Sequence, residues 1–191
     1  MPWGEFISRW PWHVFLTLTA DPASGYKPLE WWERSMGRLV YRWLAQAASA
    51  KGLCREVAHP VFDKRGGVRR LGSHFEGSFC RGWNKRFNQA RWFGVLETGP
   101  RGKVVHAHGL LHVSCRDVTA GELRWSVGQK VWASEVCGGG WCYFDTVRSG
   151  AGASRYVAKY CHKSGSGDMW LGGRWSANDV SLWRSVAGGY G

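Results

Sequence analysis

The sequence predicts an α+β domain in which helices pack against a mostly antiparallel sheet, and three observations lead to that class. Alternating apolar segments come as chain neighbours joined by short Gly and Pro turns, as at 91–97 and 103–113, and such neighbours pair antiparallel. One long segment, 28–50, repeats its apolar residues at intervals of three and four, the period of a helix lying on a sheet. Helical segments return between runs of strands instead of alternating with them one for one, which separates the pattern from a doubly wound parallel sheet.

In chain order, HVFLTLTADP at 13–22 alternates and then stops at Asp21-Pro22, so it reads as a buried strand and a turn. The helix at 28–50 presents Leu29, Trp32, Met36, Leu39, Val40, Trp43, Leu44 and Ala47 on one face. Residues 54–79 read as two strands around the turn signal Asp63-Lys64-Arg65-Gly66-Gly67. RGWNKRFNQA at 81–90 suits a short basic helix. The strands at 91–97 and 103–113 are joined by Gly99-Pro100-Arg101-Gly102. Thr119 and Glu122 form a capping box for a helix running to about 136, which glycines 138–140 end. A strand at 141–147 and a Gly-containing turn lead into the helix that carries Tyr156, and a last helix is expected at 177–186 with Ser176 as its cap. The reading is one domain over 1–191, with its core at about 13–163 and a C-terminal tail at 164–191.

The 191 residues can bury a core without disulfides. Lys and Arg outnumber Asp and Glu 26 to 14, a net charge of +12, so the expected partner is anionic and nucleic acid is the first candidate. No apolar run reaches the length of a membrane span and residues 1–9 lack the pattern of a signal peptide, so a soluble cytoplasmic protein with no membrane partner is expected. The six cysteines include no C-x-x-C pair and are expected to be thiols, most of them small core residues. Cys54, His59, His74 and Cys80 flank the 54–79 hairpin and could be assembled into a Cys2His2 zinc site, although the intervals are not those of a common zinc module. Most of the 14 tryptophans are assigned to packing, with Trp83, Trp92 and Trp125 serving core or groove. No G-x-x-x-x-G-K-[ST] loop is present, which excludes a fused helicase of that kind.

Two short motifs carry the chemistry. In VVHAHGLLHV, residues two apart on a strand share a face, so His106 and His108 project together. If the hairpin turns about residues 101 and 102, Glu97 lies opposite His106 on that face. Two imidazoles and a carboxylate leave positions open for phosphate oxygens and suit Mg²⁺ or Mn²⁺ acting as a Lewis acid. Histidine pairs on strands also serve plain packing, but a carboxylate ending the apolar strand WFGVL has little packing reason to be there. His112 shares the parity and reads as a packed or supporting histidine.

In RYVAKYCHK, Tyr156, Lys159, Tyr160 and Lys163 fall within an arc of roughly 100° on one helix face, with the tyrosines about 6 Å apart along the axis. A phenol titrates near pH 10, so attack on a phosphodiester requires a lysine or a metal that favours the phenolate. The alternative is an amphipathic helix whose tyrosines pack while its lysines stay solvated. Between residues 64 and 91 the basic residues Lys64, Arg65, Arg69, Arg70, Arg81, Lys85, Arg86 and Arg91 face one acid, Glu76, and alternate with Phe75, Phe79, Trp83 and Phe87. That mixture suits a groove that follows a phosphate backbone and stacks bases, or simply a solvated basic face.

FLTLTADP, HAHGLLHV and YVAKYCHK stand in the order and spacing of the three motifs of the HUH rolling-circle replication initiators, which the chain resembles over about residues 13–163. The tyrosine motif looks most like the two-tyrosine form of single-stranded DNA phages. The resemblance implies a ferredoxin-like sheet and site-specific cleavage of single-stranded DNA, at an origin or hairpin, through a 5′-phosphotyrosine that leaves a 3′-OH primer. It also implies host helicase and polymerase partners, His106, His108 and Glu97 as metal ligands, and Tyr156 and Tyr160 as nucleophiles. The AKYxxK pattern of single-tyrosine relatives points to Tyr160 for the first cleavage, with Tyr156 as alternate and Lys159 and Lys163 stabilising charge. A transposase or relaxase would share this chemistry. A non-catalytic nucleic-acid-binding module and a zinc hydrolase are the readings from other classes.

Overall fold

A computed structural model describes residues 3–80, 90–98, 105–138, 140–163 and 168–188. Helix α1 (Trp3–Ser8) and strand β1 (Val14–Thr19) lead to the long α2 (Leu29–Ser49) and to a ribbon of β2 (Arg55–Phe62) and β3 (Val68–Glu76). Strands β4 (Ala90–Thr98) and β5 (Val105–Val113) follow, then α3 (Trp125–Lys130), β6 (Trp141–Thr146), α4 (Gly150–Lys163), β7 (Met169–Gly173) and α5 (Ala177–Gly188). Five strands form one sheet in the order β6-β1-β5-β4-β7 with every pairing antiparallel, and β2–β3 stand apart as a two-stranded ribbon. The class is α+β with an antiparallel sheet and packed helices.

Strand alternation divides this sheet into two faces. One parity, with Val14, Leu16 and Leu18 of β1, Ala107 and Leu111 of β5, Trp92 and Leu96 of β4 and Phe144 of β6, packs with Trp32, Met36, Leu39 and Trp43 of α2. The other parity, with Phe93 and Val95 of β4, Leu110 of β5 and Met169 of β7, packs with Phe6 and Ile7 of α1, Val157 and Cys161 of α4, and Val186 of α5. Arg42 of α2 holds the ribbon in place through the Ser73 carbonyl at 3.0 Å and Glu56 at 2.7 Å.

Several elements differ from their sequence-based expectation. The Thr119/Glu122 capping box is made, with Glu122 held down to about 2 by the Thr119 backbone N–H and by Lys51, but it closes a single 3₁₀ turn, Ala120–Glu122. The helix begins only at Trp125 and passes into a wider turn at Val131–Val136. The core also extends past 13–163, because α1 and α5 are buried in it and β7 is a full member of the sheet. The α5 cap is present, with the Asp179 N–H donating to Ser176 Oγ at 3.1 Å. The expected helix at 81–90 and the 99–102 turn lie outside the described residues, apart from Ala90, which starts β4.

The six cysteines are free thiols, and burial pushes Cys54, Cys142 and Cys161 up to about 12. The Cys2His2 arrangement does not form. Cys54 sits beside Cys80 and gives its thiol hydrogen to the Ala45 carbonyl, whereas His59 and His74 pair with each other in the exposed ribbon. Five strand residues, about 16 Å, separate Cys54 from His59. Trp92 is in the core, Trp125 packs at its margin, and Trp83 lies outside the described residues.

β4 and β7 are locked by a reciprocal exchange of indole for hydrogen. Trp92 pairs with Gly172 and Gly94 with Trp170, and each indole occupies the space above the opposite glycine. A Cβ on Gly94 would stand 2.2 Å from Trp170 and one on Gly172 would stand 2.0 Å from Trp92. Gly94→Ala and Gly172→Ala should each destabilise the fold by about 1–3 kcal/mol in urea denaturation. A loss below about 0.5 kcal/mol would mean that the indoles swing aside freely.

Candidate active site

On the face away from α2, the register sets polar residues in transverse rows. Thr19 pairs with His106, and His106 with Glu97; one step along, Thr17 pairs with His108. The inferred Glu97–His106 pairing is therefore present. Each histidine is held from β1, Thr19 Oγ1 lying 2.9 Å from His106 Nδ1 and Thr17 Oγ1 3.1 Å from His108 Nδ1. On its other side His108 Nε2 meets Glu97 Oε2 at 3.2 Å. A threonine hydroxyl can donate to Nδ1 or accept from it, so the proton on Nδ1 decides whether Nε2 is a donor or a lone pair.

Helix α4 lies over this row. Val157, Ala158 and Cys161 anchor it in the second core cluster, and the helical period then brings Tyr160 down onto the sheet. The Tyr160 ring stacks on His108 with centroids 4.0 Å apart and planes 14° apart. It is 7% exposed, and its hydroxyl donates to Tyr156 Oη at 2.8 Å. Burial pushes the Tyr160 phenol well above its ordinary range, and the bond to Tyr156 adds to that. Tyr156 is 45% exposed and meets Phe15 edge-on at 5.0 Å. Lys159 is exposed, without a hydrogen bond or ion pair among the described residues, and the side chain of Lys163 lies outside them.

The donor set fits a divalent ion in kind, and two of its three members fit in geometry. Ligand distances of about 2.1 Å place neighbouring donors about 3 Å apart, close to the His108–Glu97 separation of 3.2 Å. His106 is farther off. Its ring centroid is 6.5 Å from that of His108, whereas imidazoles at neighbouring positions of one ion stand roughly 4.5–5.3 Å apart. Among the described residues no three His, Cys, Asp or Glu side chains are gathered tightly enough to hold an ion, so ligation requires the His106 ring to turn inward.

The remaining expected residues that are described are not brought to this row. His112 stacks on His13 at 4.8 Å and donates to the Pro11 carbonyl at 2.7 Å, which makes it a packed histidine. Lys64, Arg65 and Arg69 are exposed on the ribbon that Arg42 ties to α2, and α2 covers the opposite face. Arg91 is half-buried, with its guanidinium 5.7 Å from the Trp175 ring. Arg81, Lys85 and Arg86 lie outside the described residues, as does the side chain of Arg70. Thr17 and Thr19 were not among the expected site residues. Their signal was the parity of FLTLT, which puts both hydroxyls on the face away from α2.

Thr17→Val and Thr19→Val keep the β-branched shape and remove the partner of Nδ1. Each should weaken Mn²⁺ binding by about 10–100-fold and change the ¹⁵N tautomer signature of its histidine. Unaltered affinity and ¹⁵N shifts would assign both threonines to packing. Comparison of the chain with protein-family models, with curated proteins and with solved structures finds no match in any of the three.

Proposed function

We propose that this chain cleaves and rejoins single-stranded DNA through a 5′-phosphotyrosine intermediate, as a rolling-circle replication initiator of the ferredoxin-like HUH type its motifs resemble. One observation carries the reading: an unbroken line of contacts from Tyr156 through Tyr160 and His108 to Glu97. A simple binding module has no use for two hydrogen-bonded phenols laid on a histidine–carboxylate pair. Catalysis does, because it needs a nucleophile, a donor beside it and a cation site within reach.

In the forward step the tyrosine oxygen attacks phosphorus and the bond from phosphorus to the 3′-oxygen breaks. The phenolic proton is lost to solvent, and the leaving 3′-oxygen takes one up to become a hydroxyl. The phosphodiester is conserved as a phosphotyrosine, so a later 3′-OH can reverse the step without ATP. A divalent ion held by His106, His108 and Glu97 would polarise the phosphate as a Lewis acid.

Exposure argues for Tyr156 as the first nucleophile, the reverse of the order that the AKYCHK pattern implies. Tyr156 is open to solvent, while Tyr160 points its hydroxyl hydrogen at the Tyr156 oxygen. Tyr160 thus stabilises charge on Tyr156 in the first transfer. Lying 2.8 Å away, it is the next phenol in reach once a 5′ end occupies Tyr156.

The experiment is incubation with a single-stranded oligonucleotide and Mn²⁺, followed by peptide mapping of any denaturation-resistant adduct. Tyr156→Phe should lose nearly all initial adduct, and Tyr160→Phe should slow it about 10–100-fold, the worth of one hydrogen bond to a charged group. The double phenylalanine variant and His106→Ala/His108→Ala should form none, the latter while still binding DNA. DNA mapped to Tyr160 alone would reverse the order; DNA on neither tyrosine would remove the mechanism.

A further inference from the structure

Strand β6 is an edge of the five-stranded sheet. Its core parity is filled by Cys142 and Phe144. The opposite parity carries Trp141 and Tyr143, which are 60% and 46% exposed, with ring planes 16° apart and centroids 6.3 Å apart. Helices α1, α4 and α5 pack over the β4, β5 and β7 portion of this face, and none of the described helices covers these two rings. Two large aromatic side chains left open on an edge strand are an association hazard with no packing return.

Their position relates them to the candidate site. Trp141 continues the row Thr19–His106–Glu97, and Tyr143 continues the row Thr17–His108. Two strand spacings, about 10 Å, separate the rings from the histidines. Between Tyr143 and α4 a cleft of about 460 Å³ is lined by Phe15, Tyr143, Asp145, Arg148, Ser149 and Tyr156. Its lining sets the exposed Arg148 beside the exposed Asp145, in a chain of net charge +12.

We propose that Trp141 and Tyr143 form a stacking platform for unpaired nucleobases of the DNA strand whose scissile phosphate reaches Tyr156. This rests on the function proposed above and adds where that strand lies. Stacking accepts any base, because every base has a π face. The platform therefore fixes the path and spacing of the strand, and leaves sequence choice to other contacts. A single strand fits better than a duplex, whose bases are already stacked on one another.

The test is fluorescence anisotropy of a labelled single-stranded DNA oligomer of mixed sequence with the full chain, at fixed salt and without metal. A same-length oligomer of abasic sites runs in parallel. Trp141→Thr/Tyr143→Thr removes both rings with a residue suited to strands. It should weaken binding to the base-bearing oligomer by about 10-fold or more and leave the abasic oligomer unaffected. As a check that needs no variant, ultraviolet crosslinking of an oligomer bearing 5-iododeoxyuridine should map to Trp141 or Tyr143. Equal affinity of parent and variant for the base-bearing oligomer, or crosslinks confined to other segments, would overturn the platform even if the tyrosine adduct forms. A dimer of the parent that the variant abolishes, with no change in DNA affinity, would instead assign the edge to self-association. If bases stack and crosslink as stated but no adduct forms, the platform stands and the nicking chemistry falls.

Discussion

The antiparallel register of β1, β5 and β4 is the constraint on which the rest of the site depends. Side chains alternate along a strand, so a slip of one residue would turn His106 and His108 into the tryptophan-rich core beneath α2 and bring Ala107 to the surface. That exchange is prevented by the apolar parity itself. Leu16, Leu18, Leu111 and Leu96 must face α2, and satisfying them leaves Thr17, Thr19, the two histidines and Glu97 together on the other side. The polar row is held in place by the burial of its neighbours.

The two faces carry different work. The α2 face is a buried, closely packed layer, with indoles lying over glycines where β4 meets β7. The other face is apolar toward β7, where α1, α4 and α5 close it, and polar toward β1 and β5. Helix α4 is therefore anchored at one side by Val157 and Cys161 while Tyr160 and Tyr156 reach across the boundary. A nucleophile held on such a boundary is kept by packing at its root and is open to substrate at its tip.

Burial separates two chemically identical phenols. Tyr160, stacked on His108 and out of water, is held protonated and offers its hydrogen; Tyr156, one turn earlier and edge-on to Phe15, receives it and faces solvent. The difference arises from where α4 sits on the sheet, since both tyrosines are followed by a lysine three residues later.

The sequence by itself determined the class, most element positions and the pairing of Glu97 with His106, because alternation, helical period and hairpin arithmetic are local properties that survive in a string of letters. It did not reveal β7 or α1. MWLGG and WGEFIS are too short to show a period, and their places are decided by Trp92 and Phe93, far away in the chain. The basic run at 64–91 looked like one groove in sequence, yet its described members divide between the ribbon and Trp175. Tertiary structure alone decided which tyrosine is buried, which hydroxyls hold the histidines and which aromatic pair stays open on β6. Each of these depends on contacts between strands or helices distant in sequence, and no local pattern encodes which surfaces a folded neighbour will cover.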